Sequence, residues 1–286
     1  MASPASNTIQ IHEIVDEKHI RAAEQLQKEV WEIPDIDVVP LTQMMAARHA
    51  GGILIGAFDG DLMVGFAYGF VGLEDGKMTH HSHMVAVKKE YRGANIGYRL
   101  KLVQRGLVIA QGITEMTWTF DPLRAQNANF NFTRLGVICD TYLPNFYGNE
   151  ATSSLHQNGT DRLWVSWRLK SDPVIERLEG RWVPSAPRQA EPLVTLGENE
   201  RPVSYEVTRG TSANAVSIEI PTRIGEIERR DKELAENWRT ATRQAFLGAF
   251  SAGFFVSGFF RDGESGTYQL FRKDEGEYFR GGRGRI

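Results

Sequence analysis

A glycine-bearing turn between an apolar strand and a helix constrains this chain more than any other feature. Met84-Val85-Ala86-Val87 reads as a strand, Arg92-Gly93-Ala94-Asn95-Ile96-Gly97 as the turn, and the residues beyond as a helix. Ile96, Leu100, Val103, Leu107 and Ala110 recur at alternating spacings of four and three, which predicts one buried stripe. Gly112 then offers a stop. The first amides of a helix have no intrahelical partner, and its dipole favours negative charge, so the turn is suited to an anion, with a diphosphate as the expected guest.

The elements before and after the turn narrow the choice of diphosphate. Ile9 to Val15 reads as a strand, Lys18 to Trp31 as a helix, and Leu41 to His49 as a second helix behind Pro40. Ile53 to Phe58 and Leu62 to Leu73 flank Asp59-Gly60-Asp61, a hairpin signal, and His80 to Val87 follows as a third strand. No glycine-rich stretch ends in Gly-Lys-Ser/Thr, which removes the Walker loop. A dinucleotide fold wants its glycine turn after the first strand of a parallel sheet, and here the turn comes after several antiparallel-looking strands. Past the helix, Ile113 to Phe120 is a strand, Ala125 to Leu135 a helix, and Val137 to Tyr142 and Leu163 to Leu169 two more strands.

Composition sets outer bounds. The chain has 286 residues, 41% hydrophobic and 24% charged, with a formal net charge of −3. That is ordinary for a globular protein and offers nucleic acid or membrane no global attraction. The apolar runs fall short of the roughly 20 residues that span a bilayer, and the N-terminus lacks a signal-peptide pattern, so a cytoplasmic protein is expected. Cys139 has no second cysteine to pair with and reads as a small buried apolar residue.

After Lys170 the character changes. Pro173, Pro184, Pro187, Pro192 and Pro202 mark 171–202 as a Pro-rich linker or extended wrapping segment. Beyond it, Ser204 to Val207 and Val216 to Ile220 read as strands, Ile224 to Ala252 as one long helix, and Phe254 to Arg272 as a hairpin around Asp262-Gly263. Arg280 to Arg285 is a Gly/Arg tail expected to be solvated. The expected domains are thus 1–170, with a linker at 171–202 and a C-terminal α/β region at 203–286.

With these residues in place, the chain resembles the GNAT superfamily of acyl-CoA N-acyltransferases, whose core motif is a strand, then Arg/Gln-x-x-Gly-x-Gly/Ala, then a helix. The Tyr91-Arg92-Gly93 lead-in and the Ile96-Gly97-x-x-Leu100 exit match, with Asn95 where glycine is usual. Asparagine is the non-glycine residue best able to enter left-handed backbone space, so the turn survives. The resemblance covers about residues 8–170. His81-Ser82-His83-Met84, Trp118 to Leu123, Asn127 to Asn131 and Asn145 to Gly148 look like a branch with an added C-terminal region, some relatives of which are linked to N-succinylation of amino acids.

The resemblance implies an α/β fold with a mixed, mostly antiparallel sheet flanked by helices. Its strands Met84 to Val87 and Met116 to Phe120 would splay, and the pantetheine arm of acetyl-CoA or another acyl-CoA would lie between them. Amides of Arg92, Gly93, Ala94, Asn95, Ile96, Gly97 and Tyr98 would hold the pyrophosphate. Those of Val85, Ala86 and Val87 would hold the arm and polarise the thioester carbonyl. Asn127 would stand in for the family's cofactor asparagine, displaced two positions from Ala125. An amine would then attack the thioester directly in a ternary complex, with no covalent enzyme intermediate.

That reaction needs a base for the ammonium and often an acid for the thiolate. His81 and His83 share a strand face by alternation, and His83 is the expected base; structural histidines and a two-ligand metal fragment are the competing readings. The family's usual tyrosine is replaced by Phe132, so Tyr142 and Tyr147 are the candidate acids. Arg92, Arg99, Lys101 and Arg124 read as phosphate attractors or ordinary solvated charges. Arg239 and Arg243 read as a carboxylate grip or surface arginines on a packed helix. The expected partner is a small-molecule amine, with no nucleic acid or membrane, and a second copy of the chain allowed through the C-terminal region. The alternative is a catalytically degenerate CoA-binding or scaffold protein.

Overall fold

The computed structural model describes residues 9–148, 158–182, 190–205 and 213–272. They fall into two compact units, one running to Trp118 and one beginning at Thr119.

The first unit contains β1 (Gln10–Glu13), α1 (Glu17–Trp31), α2 (Leu41–His49), β2 (Ile53–Asp59), β3 (Leu62–Glu74), β4 (Lys77–Val87) and α3 (Ile96–Ala110), and ends within β5 (Glu115–Phe120). Strands β1 to β4 form an antiparallel meander, and β5 adds to β4 in parallel. Asp16 caps α1 by accepting from the His19 amide at 3.0 Å. Ile20, Ala23 and Leu26 of α1 and Met44 of α2 pack on Leu54, Phe58, Phe66, Tyr68 and Ala86 of the sheet.

Helix α3 covers the opposite face. Its buried residues are Ile96, Leu100, Lys101, Gln104 and Val108, whereas Val103 and Leu107 are only half-buried and Ala110 is exposed. The expected apolar stripe therefore holds for its first two members and then gives way to a polar one. The reason lies in the sheet. Tyr68 pairs with Met84 and Phe70 with His81, so Gly69 faces both Ser82 and His83 across a β-bulge. A Cβ on Gly69 would lie 2.3 Å from His80 Nε2, 2.6 Å from the His81 carbonyl and 3.0 Å from Gln104 Nε2. The missing side chain leaves room for a polar recess that Gln104 and Lys101 fill. Gly69→Ala should therefore lower stability by about 1–3 kcal/mol through overpacking, read as a reduced urea midpoint at unchanged m-value.

The second unit contains α4 (Ala125–Ala128), β6 (Ile138–Leu143), β7 (Arg162–Arg168), α5 (Asp172–Leu178), β8 (Glu191–Leu196), β9 (Pro202–Ser204), β10 (Ala215–Pro221), α6 (Ile224–Arg230), α7 (Lys232–Ser251), β11 (Phe254–Asp262) and β12 (Ser265–Arg272). Helix α4 runs on as a π-helical turn over Asn129–Leu135. The strands lie in the order β7, β6, β11, β12, β10, β8, β9. Cys139 of β6 pairs with Val256 of β11, which places the expected boundary at Lys170 inside this unit.

Three further differences have local causes. Within 171–202, Pro173 sits in the first turn of α5, where its missing amide hydrogen is harmless, and Pro192 and Pro202 lie in β8 and at the start of β9; Pro184 and Pro187 fall outside the described residues. The single helix expected over Ile224–Ala252 breaks at Asp231, whose extended backbone (φ −148°, ψ 95°) lets its carboxylate cap α7 by accepting from the Leu234 amide at 2.9 Å. The strand expected over Ser204–Val207 ends at Ser204, and Val207 and the Gly/Arg tail fall outside the described residues.

Candidate active site

The turn after β4 has the conformation an anion cradle requires. Gly93 has φ +91°. Asn95 has φ 62° and ψ 14°, left-handed as expected, and immediately precedes α3. Arg92, Gly93 and Asn95 are exposed, and Ile96 is buried beneath them as the first residue of the helix. Arg92 turns back to donate from Nε to the Val87 carbonyl at 3.3 Å, tying the turn to the end of β4. Gly97 lies over Val87, whose Cγ2 stands 4.0 Å from where a Cβ would be.

Strand β4 parts from β5 early. Their ladder consists of His80 with Met116 and His81 with Thr117, and β4 continues to Val87 beyond it. His81 and Thr117 are thus the last paired residues. On the α1 side of this apex four rings gather. His81 and His83 are 6.1 Å apart between centroids, Phe70 lies 5.3 Å from His81 and 5.8 Å from His83, and Tyr68 meets His83 edge-on at 6.1 Å. The shared face of His81 and His83 is as alternation requires. Met84 packs on that same side with Ala86, because the bulge inserts one residue and reverses the alternation after His83.

His83 is exposed, yet its imidazole is desolvated enough by its neighbours to hold the pKa below the usual value. His81 is half-buried, and burial, followed by His83, Lys101 and His80, pushes its pKa down to about 4. Both rings are neutral at physiological pH. His81 Nδ1 lies 3.2 Å from Thr117 Oγ1, and that hydroxyl donates to Glu74 Oε1 at 2.7 Å. Thr79 donates to the same carboxylate oxygen at 3.0 Å.

The α3 side of the apex holds a buried polar chain. Lys101 Nζ donates to Ser82 Oγ at 2.8 Å, Ser82 Oγ donates to Gln104 Oε1 at 2.8 Å, and Gln104 Nε2 lies 3.3 Å from His80 Nε2. Lys101 Nζ also sits 3.6 Å from the centre of the Trp118 ring. Lys101 is only 3% exposed, and burial holds its pKa well below the usual lysine value. It is therefore neither a solvated charge nor a phosphate attractor. Burial, followed by the charge of Lys101, pushes His80 down to about 4, and among the described residues its Nδ1 has no hydrogen-bond partner.

Other charges singled out in the sequence are engaged elsewhere. Arg99 donates to the Ile9 carbonyl at 2.6 Å. Within the second unit Arg124 bonds Glu228 at 2.9 Å. Arg239 grips Asp121 with both terminal nitrogens, at 2.6 and 3.0 Å, and Arg243 bonds both oxygens of Asp161 at 2.8 Å. Both arginines do grip carboxylates, and the carboxylates belong to the protein. Asn127 is exposed on α4. Phe132 is fully buried against Phe120 and Tyr268. Tyr142 donates to Asp161 Oδ2 at 2.6 Å, and burial and that carboxylate push its pKa up. The Tyr147 hydroxyl lies 3.3 Å from Thr119 Oγ1, with the Arg162 guanidinium 5.0 Å over its ring. Cys139 is buried. Among the described residues no group of three or more His, Cys, Asp or Glu could hold a metal ion, and no helix is long and apolar enough to cross a membrane.

Thr117, Glu74, Ser82 and Gln104 escaped the sequence reading. Each is an ordinary polar residue in a strand or helix pattern; the register of β3, β4 and β5 joins Thr117 to Glu74 on one face, and the packing of α3 joins Ser82 to Gln104 on the other.

No protein-family profile matches the chain, and no curated protein matches it in sequence. Solved structures do. The ribosomal-protein-S18-alanine N-acetyltransferase from Escherichia coli covers 57% of this chain with 95% of its own, at 15% identity and a TM-score of 0.46. An aminoglycoside 6'-acetyltransferase of type Ii covers 57% with 99% of its own, at 20% identity and a TM-score of 0.46. A GNAT-family acetyltransferase from Elizabethkingia anophelis with acetyl-CoA bound covers 57% with 99% of its own, at 14% identity and a TM-score of 0.45. Each of these three solved structures is named as an acetyltransferase and aligns with a little over half of this chain.

Proposed function

We propose that this chain is an acyl-CoA-dependent N-acyltransferase that acylates a small primary amine, with amino acids among the acceptors and acetyl or succinyl as the acyl group. The observation that carries this reading is the early parting of β4 from β5, followed directly by a left-handed turn onto the N-terminus of α3. The parting leaves the β5-facing edge of β4 for the pantetheine arm to hydrogen-bond as an added strand, through Val85, Ala86 and Val87. The turn from Arg92 to Tyr98 presents amides and the positive end of the helix dipole to the pyrophosphate. The attacking amine must give up an N–H proton, and the face that carries His81 and His83 offers the imidazole to accept it, His83 being the more open of the two. A thiolate leaves without a side-chain acid. Tyr142 is committed to Asp161, which removes it as a donor, and of the two candidate acids Tyr147 is the exposed one.

Calorimetry with CoA, followed by thiol release from acetyl-CoA and succinyl-CoA over a panel of primary amines, tests the reading. The wild-type protein should bind CoA, and Arg92→Glu should weaken it about tenfold, the loss of one favourable charge contact and the gain of a repulsive one. CoA binding without turnover of any donor–acceptor pair would leave the CoA-binding scaffold as the correct description. No CoA binding at all would end both.

A further inference from the structure

We propose that His81 is the proton acceptor of this site and that Thr117 and Glu74 are the positioning residues that hold it in the tautomer the task requires. The proposal rests on the acyltransferase reading, and its geometric half can be checked without it.

Proton counting fixes the tautomer. Glu74 Oε1 has no proton to give as a carboxylate, so the hydroxyls of Thr79 and Thr117, at 3.0 and 2.7 Å, must both donate to it. A threonine hydroxyl has one proton. With that proton on Glu74, Thr117 Oγ1 meets His81 Nδ1 at 3.2 Å only as an acceptor. His81 must then carry its proton on Nδ1. A neutral imidazole has one N–H, so Nε2 holds the lone pair. Thr117 is fully buried and Thr79 nearly so, which keeps water from competing for these hydroxyls. A carboxylate that orients a histidine through its Nδ1–H is the logic of a base–orienter pair, here with a hydroxyl between.

Position assigns the role to His81 over His83. His81 and Thr117 are the last paired residues before the strands part, so the oriented ring stands at the apex where the thioester end of the arm would stop. The His83 ring makes only ring contacts among the described residues, with Tyr68, Phe70 and His81, and nothing selects its tautomer. Among the described residues, the charged and titratable groups facing His81 include His83 beside it, His80 and Lys101 from the α3 side, and Glu74 through Thr117. Burial keeps the ring neutral, so its acceptor form is populated at physiological pH.

The step balances. The amine reacts as its neutral form, the ammonium proton having gone to solvent; as its nitrogen bonds to the thioester carbonyl carbon, the carbonyl π pair moves onto oxygen and one N–H proton moves to His81 Nε2. The carbon–sulfur bond then breaks, CoA departs as a thiolate, and the thiolate takes the proton from Nε2, which restores the neutral ring.

The full-length protein with 15N-labelled histidine tests both halves. Long-range 1H–15N spectra, assigned with His81→Ala, should show the Nδ1–H tautomer in the wild type and in Thr117→Ser. Thr117→Val should shift His81 to Nε2–H. With acetyl-CoA and the amine panel, Thr117→Val should lower kcat about 100-fold while the Kd for CoA stays within about twofold; His81→Ala should lose at least as much, and more than His83→Ala. A merely structural Thr117 would change the melting temperature and leave the tautomer alone. An Nε2–H tautomer in the wild type, or wild-type kcat in Thr117→Val or His81→Ala, overturns the proposal. A wild-type protein that binds no CoA instead overturns the acyltransferase reading, and the tautomer measurement distinguishes that failure from failure of the relay.

Discussion

Replacing Asp121 with alanine is expected to cost about 3–5 kcal/mol of stability, the usual penalty for removing one partner of a buried ion pair. Asp121 is 7% exposed and Arg239 is 5% exposed. The carboxylate accepts both terminal nitrogens of Arg239, lies 3.3 Å from Arg124 Nε, and accepts the Leu123 amide at 3.0 Å. Burial opposes its ionisation, but the Arg239 charge and hydrogen bonds outweigh it and hold the pKa below the usual value. Without Asp121 the guanidinium stays buried with its remaining bond, from Nε to the Asn158 carbonyl at 2.8 Å. The double substitution Asp121→Leu with Arg239→Met removes both charges and should recover most of the loss. Urea denaturation of the wild type, both single variants and the double variant measures the coupling. Additive losses would show that the pair does not act as a unit.

Lys101→Met should have the opposite sign and stabilise the protein by about 1–4 kcal/mol, the range seen when buried ionic groups give way to apolar ones of similar volume. Methionine can lie over the Trp118 ring, and Ser82 keeps its bond to Gln104. The gain should depend on pH. The folded lysine releases its proton at lower pH than the unfolded one, so the unfolded chain binds more protons below the ordinary lysine value of 10.5. Wild-type stability therefore falls relative to Lys101→Met as pH drops from 10.5, by at most about 1.4 kcal/mol per pH unit. His80 and His81, held at about 4 against 6.5, act in the same direction: each contributes a further loss as pH falls from 6.5 towards 4. Chemical denaturation at intervals from pH 5 to 10 reads both windows. A Lys101→Met variant less stable than the wild type at pH 7 would mean that the ammonium is charged and satisfied where it lies.

Local signals were the legible part of this chain. Asp59-Gly60-Asp61 and Asp262-Gly263 marked hairpins that form, and Pro40 and Gly112 bracket helices that form. The order of strands before the turn was readable, as was the left-handed geometry of Asn95, because each follows from backbone preferences of nearby residues. Burial along α3 was not readable. Val103 and Leu107 have the hydrophobicity for a core stripe, but Gly69 and the bulge, more than 30 positions earlier in the chain, open a polar recess instead. The break at Asp231 was missed because an aspartate in a helical pattern signals a cap only when its backbone is known to leave the helix. The Glu74–Thr117–His81 relay spans 43 positions at its longest hydrogen bond, and no spacing rule connects such residues.

The crowding around Gly69 ties three positions into one volume. Space there is shared by residue 69, residue 80 and residue 104, so they cannot drift independently during evolution. A relative with a side chain at the first must carry something smaller than histidine at the second or shorter than glutamine at the third. Across divergent relatives these positions should therefore vary together, and a sequence that kept His80 and Gln104 while gaining even an alanine at 69 would mark a strand that has lost its bulge. With the bulge gone, the alternation beyond it would reverse, and Val85 and Val87 would exchange sides with Met84 and Ala86.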